Sequence, residues 1–164
     1  IAEKSIIVFL SIITLVYVPK IFKKYDDLNL ETFKDVFKTV FVFTLISLVI
    51  LIILFYNKEL LTILFTSKLY IDYSWVIPLI GIAGIFFGIN SLISEILTVR
   101  KKTYLLLISY FFGIFINTIL NFIFIEKYGV VAAVSSSIIS YISLTLITLL
   151  FIRREYIQLQ NENR

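Results

Sequence analysis

Long apolar runs separated by short charged stretches form the pattern of this 164-residue chain. A helix needs about 20 apolar residues to cross about 30 Å of hydrocarbon, and five runs approach or reach that length. The run at 39–56 has no charged residue, whereas the run at 6–22 is the weakest because it is short and contains Pro19 and Lys20. The short alternating segments of barrel strands are not seen. We therefore predict an all-α fold, a polytopic membrane helix bundle in a single domain over residues 1–164, with five transmembrane helices at about 6–22, 39–56, 75–97, 104–125 and 130–152.

Two stretches between these runs are amphipathic. Residues 57–74 hold too few apolar residues to span a bilayer and too many for a solvated loop, so we predict a short helix along the membrane interface. Residues 23–38 carry mixed charges with apolar positions at helical spacing, which predicts an amphipathic lead-in to the second spanning helix. The apolar positions of the first stretch are Leu60, Leu61, Ile63, Leu64 and Phe65, and those of the second are Leu28, Leu30, Phe33, Val36 and Phe37.

The composition agrees with a membrane protein and excludes most catalytic chemistry. Hydrophobic residues make up 60% of the chain and charged residues 16%, which is more apolar surface than a soluble domain of this size hides. The chain has no Cys and no His, so disulfide and thiol chemistry are excluded and a metal site would need clustered carboxylates. Asp26 and Asp27 are more simply a solvated pair that balances Lys23 and Lys24. We expect no enzymatic activity, no metal, no cofactor and no nucleic-acid partner.

Three consecutive cations, Arg100, Lys101 and Lys102, separate the third and fourth runs. If five helices alternate across the membrane, 11 of the chain's 15 basic residues fall on one side, this triplet included. Because cytoplasmic loops carry the excess of Lys and Arg, that side is predicted to be cytoplasmic. The N-terminus then faces outward, the C-terminus faces the cytoplasm, and the triplet is a topological anchor. Capture of a phosphate by the triplet stays open as an alternative.

Four small residues, followed by one glutamate, recur every three or four positions along the third run and fall on one side of a helix. GIFFG at 84–88 is a small-xxx-small pattern, which lets two membrane helices approach closely. Helix packing is the simpler interpretation, and sliding or bending during a transport cycle is the alternative. The positions are Gly81, Gly84, Gly88, Ser91 and Glu95. The fifth run also predicts close packing, with hydroxyls that bond back to their own helix, through Ala133, Ser136, Ser137, Ser140 and Ser143.

Amide side chains inside the fourth run are candidates for a translocation path. Asn117 and Asn121 continue a stripe that begins with Ser109 and Gly113, at intervals of four residues. This stripe faces protein or water rather than lipid, because an unpaired amide in hydrocarbon costs several kcal/mol. Hydrogen bonds from the amides to neighbouring helices, with Gly113 serving helix packing, are the alternative to a path.

Glu95 is the only acidic residue within a predicted span. A carboxylate at a helix centre costs about 2.5 to 3.5 kcal/mol on insertion scales, but Glu95 lies near the predicted helix end, where headgroups or the neighbouring cations are within reach. If it faces a cavity instead, it is a candidate proton or cation site with Asn90 as its polar companion. The first run adds three candidates for a pore-facing side, namely Ser11, Thr14 and Tyr17.

Two stretches carry a resemblance to a known family: LLTILFTSKLYIDYSWVIPLIGIAGIFFGINSLISEILTVRKKT and INTILNFIFIEKYGVVAAVSSSIISY. The chain resembles the C-terminal half of the polysaccharide flippases, the O-antigen and teichuronic-acid exporters of the multidrug/oligosaccharidyl-lipid/polysaccharide superfamily. It departs from their pattern at Glu126, where a Pro is common, and at residues 131–133, where a second Gly is usual. The shared landmarks are Tyr70, KKT at 101–103, the NxxxN of Asn117 and Asn121, and the YG of Tyr128 and Gly129.

The resemblance implies two helical lobes around a central cavity, with this chain forming most of the C-terminal lobe of a flippase of about 12 to 14 helices. We therefore expect a fragment whose N-terminal lobe lies upstream in the same protein. By resemblance, that protein sits among the lipids of the cytoplasmic membrane and moves a lipid-linked oligosaccharide across it by alternating access. A cation-coupled multidrug exporter of the same superfamily and a non-transporting membrane scaffold subunit stay open as alternatives.

Overall fold

The computed structural model describes residues 7, 8, 10–16, 19 and 30–162, and these residues form helices without any strand. The predicted all-α fold is therefore confirmed. Residues 10–16 belong to a first helix, α1. The elements that follow are α2 (Leu30–Tyr56), α3 (Lys58–Phe65), a 3₁₀ helix (Lys68–Tyr73), α4 (Val76–Val99), α5 (Thr103–Tyr128) and α6 (Val130–Glu162).

Four helices in the described part of the chain are long and apolar enough to cross a membrane. They are Glu31–Tyr56, Val76–Val99, Thr103–Tyr128 and Val130–Asn161. These four coincide with the second to fifth predicted spans. The first predicted span, 6–22, lies partly outside the described residues, so four helices are shown where five were predicted. Leu10 of α1 is buried in one cluster with Phe43 of α2.

Two helices extend beyond the apolar runs that predicted them. α2 begins before the predicted boundary at residue 39, and α6 continues past residue 152. The cause is a set of apolar contacts outside the runs, in which Phe33 of α2 is buried in one cluster with Leu159 of α6. The ring of Phe33 also meets the ring of Tyr156 edge to face, with centroids 5.4 Å apart. Residues 30–38 of the predicted amphipathic lead-in are therefore the first part of α2 itself, and residues 23–29 lie outside the described residues.

The order of the helices in space differs from their order in the chain. α6 packs along both α4 and α5, and α2 packs along α4, whereas α4 and α5 contact each other much less. The spatial order is therefore α2, α4, α6, α5. We name the two ends of this bundle after residues that lie there: the Glu155 end, where α4 gives way to α5, and the Trp75 end, where α2 finishes and α4 begins.

Gly88 of α4 allows α2 to approach closely. Gly81, Gly84 and Gly88 are all buried. A Cβ atom placed on Gly88 would lie 2.3 Å from Cζ of Phe43, whose side chain is fully buried. Any side chain at position 88 therefore requires the Phe43 ring to move.

The turn from α4 to α5 is a Schellman motif. The backbone N–H of Lys102 donates to the carbonyl of Leu97 (2.9 Å), and the N–H of Lys101 donates to that of Thr98 (3.0 Å). Lys101 has a φ of 55°, in the left-handed region where glycine is the usual residue. This turn satisfies the last carbonyls of α4 and lets α5 begin at Thr103.

The stretch between α2 and α4 contains the predicted short helix, which is α3. Leu64 and Phe65 are exposed, whereas Thr62 is buried and donates to the carbonyl of Lys58 (2.8 Å). A side of exposed large apolar residues next to a buried threonine makes α3 amphipathic. The 3₁₀ helix that follows leads to Trp75 at the start of α4.

Candidate functional site

A polar cleft of about 280 Å³ opens between α5 and α6. It lies within the parts of both helices that are long and apolar enough to span a membrane. Five of its eight lining residues carry a hydroxyl or an amide, compared with one of nine, Tyr56, in a groove of about 580 Å³ that is lined mainly by residues of α2 and α4. The lining residues are Tyr110, Gly113, Ile114, Asn117, Ser137, Ser140, Tyr141 and Leu144.

The two helices that form the cleft are in close contact at Gly113. The hydroxyl of Ser140 donates to the carbonyl oxygen of Gly113 across the interface. A Cβ atom on Gly113 would lie 3.3 Å from Cβ of Leu144, so even alanine would be tight here. Asn117 and Ser137 follow about one turn from this contact, each towards the Trp75 end. Their side chains thus line the cleft next to a fixed point of helix packing.

The two amides of α5 bond to each other rather than across to a neighbouring helix. Nδ2 of Asn121 donates to both the carbonyl oxygen and Oδ1 of Asn117, each at 3.0 Å. This differs from the expectation of bonds between helices, because side chains four residues apart on one helix already lie within reach of each other. Oδ1 of Asn121 is buried and has no hydrogen-bond partner among the described residues.

A second unpaired amide lies on α4, at the far side of Tyr110. Asn90 is fully buried, and neither its Oδ1 nor its Nδ2 makes a hydrogen bond of regular geometry within the described residues. Tyr110 lies beside Asn90 and within electrostatic range of Glu95, a half-buried carboxylate. The polar groups of α4 and the cleft between α5 and α6 therefore meet at Tyr110.

The ring of Tyr141 connects the cleft to α4 by a second route. It meets the ring of Phe87 with centroids 5.4 Å apart and an interplanar angle of 61°. One residue type thus lines the cleft from both sides, since Tyr110 belongs to α5 and Tyr141 to α6. Both tyrosines also contact α4, Tyr110 at Asn90 and Tyr141 at Phe87.

The chemistry of this cleft is that of neutral hydrogen bonding. Hydroxyls and amides each donate and accept, so they match the hydroxyl groups of a neutral polar ligand. No lining residue of the cleft carries a formal charge. In the described residues no group of three or more His, Cys, Asp or Glu side chains is placed to hold a metal ion.

Two of the three candidates from the first run can be placed, and they do not line this cleft. The hydroxyl of Ser11 donates to the carbonyl of Ile7 (2.9 Å), and Ser11 is exposed. The hydroxyl of Thr14 donates to the carbonyl of Leu10. Both hydroxyls therefore bond back to their own helix. Tyr17 lies outside the described residues.

Four of the five polar lining residues were not predicted as candidates for the path. Tyr110 and Tyr141 were not singled out, and Ser137 and Ser140 were interpreted as packing residues. The sequence does carry a signal for Tyr110, because it lies seven residues before Asn117 and hence on the same side of α5. Ser137 and Tyr141 are likewise four residues apart on α6.

Two of the three cations of the triplet form ion pairs within the protein. The carboxylate of Glu155, which is 3% exposed, accepts from Nε of Arg100 (3.1 Å) and from Nζ of Lys102 (2.6 Å). Only Lys101 of the triplet is exposed. Two of the three cations that a phosphate would need are thus already paired with one carboxylate of α6.

The chain matches no protein-family model, no curated protein and no solved structure. Its function is therefore argued from its membrane-spanning helices, from the geometry of the cleft and from the sequence landmarks given above.

Proposed function

We propose that this chain is part of a multi-pass membrane transporter that flips lipid-linked oligosaccharide or polysaccharide precursors across the cytoplasmic membrane by alternating access. The observation that carries the proposal is the uncharged polar cleft between α5 and α6 in an otherwise apolar bundle. A sugar headgroup is rich in hydroxyls, and hydroxyl and amide side chains pair with such groups as donors and as acceptors. The resemblance to polysaccharide flippases supplies the substrate class.

The position of the cleft along α5 supports a path through the membrane. Asn117 lies near the middle of Thr103–Tyr128, where water does not reach a lipid-exposed side chain. Polar groups at this depth face protein, water or substrate, and intramembrane sites of this kind mark pathways in transporters. A cleft of about 280 Å³ is at the lower limit for a ligand site, so it holds one part of the headgroup. The N-terminal lobe of the same protein supplies the opposite wall, while the lipid tail stays among the membrane lipids.

The distribution of charge supports an orientation in which the Glu155 end is cytoplasmic. Arg100, Lys101, Lys102, Arg153 and Arg154 all lie at that end. An excess of Lys and Arg is typical of cytoplasmic loops. In this orientation the C-terminus is cytoplasmic and the Trp75 end faces outward.

The proposal is tested with the native protein reconstituted in liposomes that contain a lipid-linked oligosaccharide. A membrane-impermeant glycosidase cleaves only headgroups in the outer leaflet, so flipping makes the protected inner half accessible over time. Replacing Asn117 and Ser137 together by Ala removes two cleft hydrogen bonds, and we expect the flipping rate to fall about tenfold. Thr118→Ala is the matched control, because Thr118 is exposed on α5 next to Asn117 and does not line the cleft.

Two outcomes contradict the proposal. Equal flipping rates for the double variant and for Thr118→Ala would remove the cleft from the substrate path. A folded wild-type protein that leaves the inner headgroups protected would indicate a non-transporting scaffold subunit.

A cation-coupled multidrug exporter is the second candidate, and the position of Glu95 favours it. Glu95 is half-buried on a span and within electrostatic range of Tyr110, which lines the cleft. If a cation drives transport, Glu95→Gln abolishes the dependence of uptake on a sodium or proton gradient and keeps the fold. A flippase that does not use this carboxylate keeps the same gradient dependence in the variant.

A further inference from the structure

A groove of about 580 Å³ runs between α2 and α4 at the Trp75 end, apart from the polar cleft. Apolar and aromatic side chains make up nearly all of its lining. The exception is one charged residue, Lys58, at the start of α3. The lining includes Leu51, Phe55, Tyr56, Lys58, Trp75 and Pro78.

Lys58 has an incomplete set of partners in this position. Its Nζ lies 5.2 Å from the centroid of the Phe55 ring, a cation–π contact. No carboxylate forms a salt bridge with it in the part of the chain that the structure describes. An ammonium group has three donors, and the face of one aromatic ring uses only a part of that capacity. The ammonium group is therefore available to an anion at the rim of the groove.

The groove extends from the depth of lipid headgroups towards the middle of the membrane. Tyr56 ends α2, and Trp75 precedes the first residue of α4, so both aromatic side chains lie at the ends of spans. Tyr and Trp at such positions are typical of the membrane–water interface. Leu51 lies five residues further into the span, which corresponds to about 7.5 Å along the helix. A cation at one end and an apolar channel below it match the two parts of a lipid molecule.

We propose that this groove binds an anionic phospholipid of the surrounding bilayer, with an acyl chain between α2 and α4 and the headgroup phosphate on Lys58. Charge decides between possible occupants. An apolar helix of another protein segment would cover Lys58 and bury an unpaired ammonium, which is costly in a membrane. A zwitterionic lipid offers a phosphate that is already balanced by its own cation. An anionic lipid carries a net negative charge, which balances the positive charge of Lys58. The inference does not depend on the transported substrate.

The chain contains a single tryptophan, Trp75, and it lines this groove. Its fluorescence therefore reports occupancy of the groove directly. The chain is reconstituted in phosphatidylcholine bilayers that contain a fixed fraction of either brominated phosphatidylglycerol or brominated phosphatidylcholine, since bromine on the acyl chain quenches a tryptophan in contact with it. We expect stronger quenching by the anionic lipid, with an apparent preference of about fivefold for one lysine at the membrane surface. The preference should decrease at high salt, because exposed charges are screened.

Substitutions assign the effect to Lys58. Lys58→Gln should bring the preference to about one, and Lys58→Arg should keep it. Lys68→Gln is the matched control, because Lys68 lies at the same end of the bundle, is exposed and does not line the groove. Equal quenching by both lipids in the unchanged chain would overturn the proposal. So would a preference that survives Lys58→Gln, or quenching by neither lipid, which would mean that protein covers the groove.

Discussion

Glu155 of α6 lies between Arg100 and Lys102 and accepts a hydrogen bond from each, at 3.1 Å from Nε and 2.6 Å from Nζ. Glu155 lies more than fifty positions after Arg100 and Lys102 in the chain. The contact joins the last turns of α6 to the turn between α4 and α5. It closes the Glu155 end of the bundle next to the apolar cluster that contains Phe33 and Leu159.

Loss of the Glu155 charge is predicted to destabilise the bundle moderately. Glu155→Gln leaves two cations without their partner, but the side chains of Arg100 and Lys102 are 21% and 32% exposed, so water compensates in part. We expect the free energy of unfolding to fall by about 1–2 kcal/mol. Thermal unfolding in one detergent measures the change, and Arg154→Gln, at an exposed neighbouring position, should leave the midpoint unchanged. An unaltered midpoint for Glu155→Gln would show that the ion pairs contribute nothing.

A side chain at position 88 is predicted to disturb the packing of α2 on α4. In Gly88→Ala the new Cβ would lie 2.3 Å from Cζ and 2.6 Å from Cε1 of Phe43, whose ring is fully buried. We expect a loss of about 1–3 kcal/mol of stability, the range for overpacked cores.

The same contact can be tested by rescue. Gly88→Ala in a Phe43→Leu background removes the atoms that clash, so the double variant should lose less stability than the sum of the two single variants. Additive losses in such a cycle, measured by thermal or denaturant unfolding, would contradict the assigned contact.

The backbone at Lys101 predicts a stabilising substitution. Its φ of 55° places it in the left-handed region, which disfavours residues with a Cβ atom. Lys101→Gly should raise the free energy of unfolding by about 0.5–1 kcal/mol, because glycine adopts this conformation without strain. Lys101→Ala separates this effect from the loss of charge, since it removes the ammonium group and keeps the Cβ atom. A stability gain of equal size in both variants would assign the effect to charge instead.

The buried amide of Asn90 predicts opposite effects on stability and on transport. Neither of its buried polar atoms makes a hydrogen bond of regular geometry in the described residues, and the lack of such bonds costs about 1–3 kcal/mol. Asn90→Leu has a similar shape and should therefore unfold at a higher temperature than the unchanged chain. If the amide serves the polar path next to Tyr110, the same variant should flip substrate more slowly. A lower unfolding temperature would mean that Asn90 has a bound water or another partner in the membrane.

Much of the secondary structure could be predicted from local pattern. Apolar runs long enough to cross hydrocarbon correctly located four helices, because the length and composition of a run are local properties. The spans predicted for α2 and α6 were shorter than the helices. Residues 30–38 of α2 were predicted as an amphipathic lead-in, whereas the extension of α6 past residue 152 was not predicted. Their outer turns are polar on one side and are helical because Phe33 and Leu159 are buried in a common cluster, which the apolar runs alone do not reveal.

The candidate site was predicted less completely than the helices. The stripe of Ser109, Gly113, Asn117 and Asn121 could be recognised because its spacing of four residues places it on one side of α5. The residues that line the cleft opposite this stripe could not be recognised from the sequence. Ser137 and Tyr141 belong to α6 and reach the cleft through helix packing.

The sequence by itself determined that this chain is helical, that its long apolar segments are able to span a membrane, and that thiol and histidine chemistry are absent. Those properties follow from residue type and spacing along the chain. The tertiary structure alone decided that α6 separates α4 from α5 along most of their length, that Glu155 pairs with two cations of the triplet, and that Asn90 faces Tyr110. Such relationships depend on which helix surfaces pack together, and many surfaces of similar apolar character compete for that packing.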